Sequence, residues 1–351
     1  MLRNKTVLVL GAGASFEAGM PIGSVLKTAI SDLMAQRITS DGGMSWSDGQ
    51  HPFCAEVVHS FSNLSGWGIL NSTALRIARG VSFSSSIDNF LEITRDEEVS
   101  TLAKAAISKI ILDSEKVSKL WFDDRRHVNH LEATKIDGTW YQEFAQLFFE
   151  KVAWSDLPKA LDALTVVSFN YDRCFEHFLR HATAALYGVP LIESDKVVSR
   201  LRVIHPYGQV GELDWKLIPD RSKAVEFGGS WERRLRELAP QLKTFTESTD
   251  EGTLISVRDA IAQADTLIFM GFAFHPQNVD VFKINGPSKE KEVYATTFEI
   301  SDVSVGAIRK SLIATLGGTN PPNSDPAGLR FYDEPIKCAP YLGRHRRALA
   351  G

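Results

Sequence analysis

Two kinds of apolar pattern alternate along this chain. Val7 to Leu10 (VLVL), Thr165 to Asn170 (TVVSFN), Arg202 to His205 (RVIH), Thr266 to Phe272 (TLIFMGF) and Glu292 to Phe298 (EVYATTF) are short apolar runs separated by helical or polar stretches. A strand with apolar residues at successive positions has both faces buried, as in a parallel sheet covered by helices on each side. Elsewhere the apolar residues recur at helical spacing. Leu26, Ile30, Leu33 and Met34 do so after the first run; later Leu102, Ala106 and Ile110 run beside Ala103, Ile107 and Ile111, and Phe144, Leu147 and Phe148 mark another face. The alternation predicts an α/β fold with a mostly parallel sheet, helices on both faces and a largely helical insertion over residues 24–162. Residues 1–300 form the sheet-containing domain, and 301–351 are expected as a helical and loop extension. By composition, Asp41 to Pro52 and Gly317 to Gly328 are loops, and Arg344 to Arg347 (RHRR) reads as a solvated basic terminus.

Composition narrows the class of partner. With 351 residues, 44% hydrophobic content, 23% charge and a net charge of −4, the chain has the makeup of a globular protein rather than of a basic nucleic-acid binder. No apolar run approaches the ~20 residues that cross a bilayer, and the first strand leads straight into a glycine turn rather than a signal-peptide cleavage site. The expected location is the cytoplasm, with no membrane contact and no direct nucleic-acid binding. Cys54, Cys174 and Cys338 are scattered and form no C-x-x-C pair, so neither a disulfide framework nor a four-cysteine zinc knot can be built.

In parallel α/β sheets, ligands sit beyond the carboxyl ends of the strands. The first strand ends in Gly11-Ala12-Gly13-Ala14-Ser15, followed by Gly19, Pro21 and a helix. A glycine turn that opens a helix presents backbone N–H groups to phosphate, although glycine at such a junction also has a purely steric reading. The G-x-G-x-x-G dinucleotide pattern fails at its sixth position, Phe16. The second strand closes on Asn170-Tyr171-Asp172. Asn170 is placed to meet a ligand hydroxyl or water, the alternative being a turn-forming asparagine. Asp172 reads chiefly as a helix cap. The third strand closes on His205-Pro206-Tyr207-Gly208, where a histidine at the sheet edge suits acid–base work. The fourth ends at Gly271 and Phe272, with His275, Asn278 and Asp280 in the turn beyond, and a plain strand-end turn explains that segment almost as well. SSIDNFLE, Ser85 to Glu92, is read as a capped helix start with Ser86 or Asp88 as cap. His127, His130, His177 and His181 are assigned structural roles.

Taken in order, GAGAS with Gly19 and Pro21, strand-end NYD, strand-end HPYG and the late MGF turn resemble the sirtuin-like NAD-hydrolase domains of bacterial anti-phage defence systems. The resemblance spans Thr6 to Phe298 and implies a Rossmann-like, NAD-binding fold. It implies Asn170 and His205 as the catalytic pair. It also implies Gly11, Ala12, Gly13, Ala14, Ser15, Pro21, Asp172, Gly271, Phe272 and Asn278 as residues that hold NAD. One departure is that such domains commonly have glycine directly after the histidine, where this chain has Pro206 and Tyr207. Sirtuin deacylases add a zinc module with two C-x-x-C pairs, which three scattered cysteines cannot supply. Cleavage of NAD as substrate, without a metal, is therefore expected in place of acyl transfer. Asn170 would orient a water or a ribose hydroxyl, and His205 would accept a proton. A freely active NAD hydrolase would deplete its host, so a separate partner protein or self-assembly is the expected trigger. The rival reading is a non-catalytic module that binds NAD or ADP-ribose and reports it to a partner.

Overall fold

The computed structural model describes residues 2–35, 52–61, 67–123, 131–244, 247, 251–284, 289–316 and 328–351. His127, His130 and nearly all of the segments read as loops at Asp41 to Pro52 and Gly317 to Gly328 lie outside the described residues.

Six parallel strands form the main sheet: β1 (Thr6–Leu10), β2 (Leu164–Ser168), β3 (Arg202–Ile204), β6 (Thr266–Met270), β7 (Lys291–Thr296) and β8 (Leu329–Glu334). A separate two-stranded pair, β4 (Glu212–Leu213) and β5 (Ala224–Val225), lies between β3 and β6 in sequence. The order across the main sheet is β3-β2-β1-β6-β7-β8. The chain thus builds outward from β1 in one direction, returns to the middle, and builds outward in the other. This is the doubly wound, Rossmann-like arrangement, and its switch point lies between β1 and β6.

Side-chain alternation explains why the apolar runs fold this way. On β1, Leu8 and Leu10 join one core with Val166, Ile268, Met270 and Tyr294. Val7 and Val9 point the other way and join Val167, Leu267, Phe269 and Val293 in a second core. Successive side chains of a strand face opposite sides, so a run with no polar residue has to be covered twice.

Helices supply both covers. Between β1 and β2 come α1 (Ala12–Phe16), α2 (Gly23–Ala35), α3 (Pro52–Phe61), α4 (Trp67–Gly80), α5 (Ile87–Thr94), α6 (Glu97–Val117), α7 (Trp140–Phe148) and α8 (Leu157–Asp162). Leu26, Ile30, Leu33 and Met34 of α2 and the apolar faces of α6 and α7 enter the first core. Between β2 and β3 lie α9 (Cys174–Tyr187) and α10 (Leu191–Val198), and between β5 and β6 lie α11 (Leu235–Leu238) and α12 (Glu251–Gln263). Then α13 (Pro276–Asp280) follows β6, α14 (Asp302–Thr315) follows β7, and α15 (Cys338–Leu349) follows β8. Val257, Ala260 and Ile261 of α12, with Leu312 and Ile313 of α14, cover the second core.

Three features differ from the sequence reading. The strands stop earlier than their apolar runs, β2 at Ser168 and β6 at Met270, so Asn170 and Gly271 lie in the loops beyond. Residues after 300 add the sixth strand, β8, an edge strand whose outward residues are polar and which pairs with β7 from Lys291 opposite Leu329 to Thr296 opposite Glu334. The RHRR segment is not a loose terminus. It lies within α15, where Arg344 and His345 both pair with Glu334 and Arg346 reaches Gln146.

Candidate functional site at the carboxyl edge of the sheet

The glycine turn after β1 is shaped first by the end of β6. Gly11 donates its N–H to the Met270 carbonyl and Gly13 donates to the Gly271 carbonyl, each at 3.0 Å. A Cβ on Gly11 would lie 2.5 Å from the Gly271 oxygen, and one on Gly13 would lie 2.8 Å from the Gly271 Cα. Gly271 has φ +57°, and a Cβ there would stand 2.1 Å from the Ala14 nitrogen. The three glycines let α1 press directly onto the loop after β6. The expectation of bare N–H groups at Gly11 and Gly13 is thereby corrected: both are engaged, and the absence of Cβ atoms serves the close approach of the loop after β6. Ala14 is fully buried, and its carbonyl accepts the Trp140 Nε1–H at 2.8 Å.

Asn170 lies two residues past β2 and turns toward this same turn. Its Nδ2 donates to the Gly11 carbonyl at 3.0 Å and to Ser15 Oγ at 2.9 Å. The Ser15 hydroxyl in turn donates to Asp172 Oδ1 at 2.9 Å, and that oxygen also accepts the Cys174 N–H at 3.1 Å. Asp172 is thus the helix-entry acceptor for α9 and a tie to the α1 turn at once. Burial pushes its carboxyl up, opposed by the hydrogen bonds from Cys174 and Ser15. Asn170 Oδ1 is buried and has no hydrogen-bond partner among the described residues. An orphaned buried acceptor costs about 1–3 kcal/mol, a cost that any donor reaching it would relieve.

His205 follows β3, and HPYG forms the turn that its composition suits. The His205 carbonyl accepts the Gly208 N–H at 3.0 Å, with Pro206 and Tyr207 at the corner and Gly208 at φ +69°. The imidazole is 8% exposed and is held at both nitrogens. Nδ1 lies 3.1 Å from the Asn170 carbonyl, and Nε2 lies 3.1 Å from Glu176 Oε1. Lys216 Nζ donates to the same Glu176 oxygen at 3.2 Å. Burial would raise the Glu176 carboxyl, but the Lys216 ammonium and the His205 ring outweigh it and hold the group far below the usual carboxylate range. Glu176 and Lys216 escaped the sequence reading; Glu176 stands in the first turn of a helix among the apolar Phe175, Phe178 and Leu179, and that was the available signal.

The loop after β6 completes the edge. Phe272 packs edge-on against Phe169, and Phe274, at φ +54°, packs against Phe272. Asn278, on α13, accepts the Tyr207 hydroxyl at 2.5 Å. Tyr171 donates its hydroxyl to Asp88 of α5 at 2.7 Å. Ser86, not Asp88, caps that helix, since its side chain accepts the Asn89 N–H. Pro21 lies in the link between α1 and α2, beside Ile22.

A cavity of about 480 Å³ opens next to the glycine turn, and its lining includes Ala12, Gly13, Phe16, Gly271, Phe272 and Phe298. Its volume is in the usual range for a small-molecule site. Glu17 at its rim accepts the Trp140 N–H at 2.7 Å and the Ala339 N–H at 3.1 Å, capping α7 and α15 with one carboxylate. The predicted residues therefore fall into two neighbouring groups that share the α1 turn. Ala12, Gly13, Gly271 and Phe272 face the cavity, while Asn170, Ser15, Asp172 and His205 form a connected polar chain.

Among the described residues, no helix is long and apolar enough to cross a membrane. The chain matches no protein-family model and no curated protein.

Proposed function

We propose that this chain binds NAD along the carboxyl edge of its sheet and hydrolyses it to nicotinamide and ADP-ribose. The observation that carries the reading is the orphaned Oδ1 of Asn170, set where the loops after β1, β2 and β3 meet. A ribose hydroxyl or a hydrolytic water is a donor of the right size for it. The adjoining cavity, walled by Phe16, Phe272 and Phe298, suits the flat adenine end, and Ala12 and Gly13 between the two admit a pyrophosphate at close range. The dinucleotide would thus lie across the switch point of the sheet, where doubly wound folds bind ligands.

Cleavage of the nicotinamide–ribose bond develops positive charge on the ribose and needs a positioned water. Asn170 fits the orienting role. The likeness of the GAGAS, NYD, HPYG and MGF segments to anti-phage NAD hydrolases supports a cytoplasmic defence effector that stays silent until a partner or self-assembly triggers it.

One observation favours the second reading, a binding module that reports NAD or ADP-ribose to a partner: both His205 nitrogens are already engaged. The deciding experiment incubates purified protein with NAD from nanomolar to tens of micromolar enzyme and follows nicotinamide and ADP-ribose by chromatography. Turnover selects the hydrolase. Saturable NAD binding without product at any enzyme concentration selects the module.

A further inference from the structure

If NAD is cleaved here, some group must take the proton of the attacking water, and His205 is poorly placed to do so. Its ring is almost wholly buried between the Asn170 carbonyl and the Glu176 carboxylate. Both partners are acceptors and together they occupy both ring nitrogens, so an attacking water finds neither nitrogen open to it. The geometry makes His205 a strut that fixes the backbone of Asn170.

A second titratable group reaches the same edge from the helical layer. Asp88, near the start of α5, is a half-buried residue whose Oδ1 accepts the hydroxyl of Tyr171, the residue directly after Asn170. Tyr207, two residues after His205, bonds Asn278 of α13, so a polar contact joins the loops after β3 and β6. The exposed His275 at the start of α13 and Lys104 of α6 act electrostatically on Asp88, and Tyr207 in turn senses Asp88 and Glu92.

We propose that Asp88 is the acid–base residue of the NAD-cleaving site, with Tyr171 as the residue that positions it. The proposal rests on the hydrolase reading above. In the step assigned to it, the oxygen of water bonds to C1′ of the nicotinamide ribose as the bond from C1′ to the ring nitrogen breaks. The electron pair of that bond leaves with nicotinamide, which departs neutral. The proton of the water passes to the Asp88 carboxylate and then to solvent, leaving ADP-ribose. Burial pushes the Asp88 carboxyl up, against the Tyr171 hydrogen bond and the charges of His275 and Lys104, toward the range in which a carboxylate is an effective base. The helical insertion is then part of the active centre and not only a cover for the sheet.

The test compares wild type with Asp88→Asn, which keeps an acceptor for Tyr171, and with Asp88→Glu and Tyr171→Phe. The full chain is used, with NAD turnover, NAD affinity and thermal midpoint measured for each. Expected for Asp88→Asn is a fall in kcat of about 10²- to 10⁴-fold with NAD affinity and midpoint close to wild type, the scale of a lost acid–base group. Asp88→Glu should recover part of the rate, and Tyr171→Phe should lower kcat while leaving KM near the wild-type value. Wild-type turnover with Asp88→Asn within about threefold of it would overturn this assignment and leave the hydrolase reading standing. Absence of wild-type turnover at every enzyme concentration would overturn both.

Discussion

His205 and Asn170 meet through the backbone of one and the ring of the other: His205 Nδ1 lies 3.1 Å from the Asn170 carbonyl, while the Asn170 amide turns away to Gly11 and Ser15. The two residues expected to act as a catalytic pair are therefore neighbours whose side chains serve different partners. Loss of the ring should first be felt as loss of stability. His205→Ala removes a buried ring and leaves Glu176 with Lys216 alone, at a cost of about 1–3 kcal/mol in chemical denaturation. An unchanged denaturation midpoint would contradict the strut role.

The same cluster sets a pH dependence. Glu176 is held well below its ordinary value of 4.5 in the folded protein, so its contribution to stability is fully present above about pH 4.5. It is lost as pH falls further, toward the folded-state value. The stability gap between wild type and Glu176→Gln should accordingly be widest near neutral pH and should narrow in acid. Denaturant titrations from pH 7 down to pH 3 check this, and a gap that widens in acid would reverse the sign.

Glycine substitutions separate packing from permissive positions. Gly271→Ala places a Cβ against the Ala14 backbone nitrogen at a positive φ, and should destabilise by at least about 2 kcal/mol or prevent folding. Gly306, exposed inside α14, has nothing within 4 Å of an added Cβ, so Gly306→Ala should stabilise by about 0.5–1 kcal/mol. Thermal midpoints moving in opposite directions are the expected result. Gly13→Val belongs with Gly271→Ala: its added Cβ would strike the Gly271 backbone, so lost NAD binding in that variant would not isolate a phosphate contact.

Lys291 offers an independent test at the other end of the sheet. Its ammonium is buried under the Ala262 and Ala264 carbonyls, and burial, with repulsion from Lys289 and against the attraction of Asp265, lowers its pKa to about 8 from 10.5. Between these values the unfolded chain holds more protons than the folded one, so stability rises with pH across that window. Relative to Lys291→Met, wild type should gain stability from pH 7.5 to pH 10, read by denaturation at matched ionic strength. A loss over that interval would contradict the burial of the charge.

How much of this was legible in the sequence depended on burial. β1, β2 and β6 declared themselves because both faces are covered and their residues are mostly apolar, and β7 did so through the apolar Val293, Tyr294 and Ala295 at its centre. β8 did not, because an edge strand such as LRFYDE keeps polar residues on its open side and reads as loop. The sheet edge was correctly located by the residues that follow its strands. What single positions touch was not: Gly11 and Gly13 answer to the backbone of Gly271, some 260 residues away in sequence, and periodicity carries no record of such a contact. Asp88 was read only within its own helix, whereas its partner Tyr171 belongs to a different layer of the fold.

The central claim is that the Asn170 edge of the sheet cleaves NAD, and a paired measurement on wild type and Asn170→Ala tests it most directly. Nicotinamide release is followed by chromatography and NAD binding by calorimetry on the same preparations, with thermal midpoints confirming that both proteins are folded. The account predicts measurable release by wild type, release reduced by about 10²-fold or more in Asn170→Ala, and NAD affinity within a few-fold of wild type. Folded Asn170→Ala that releases nicotinamide at the wild-type rate would contradict it.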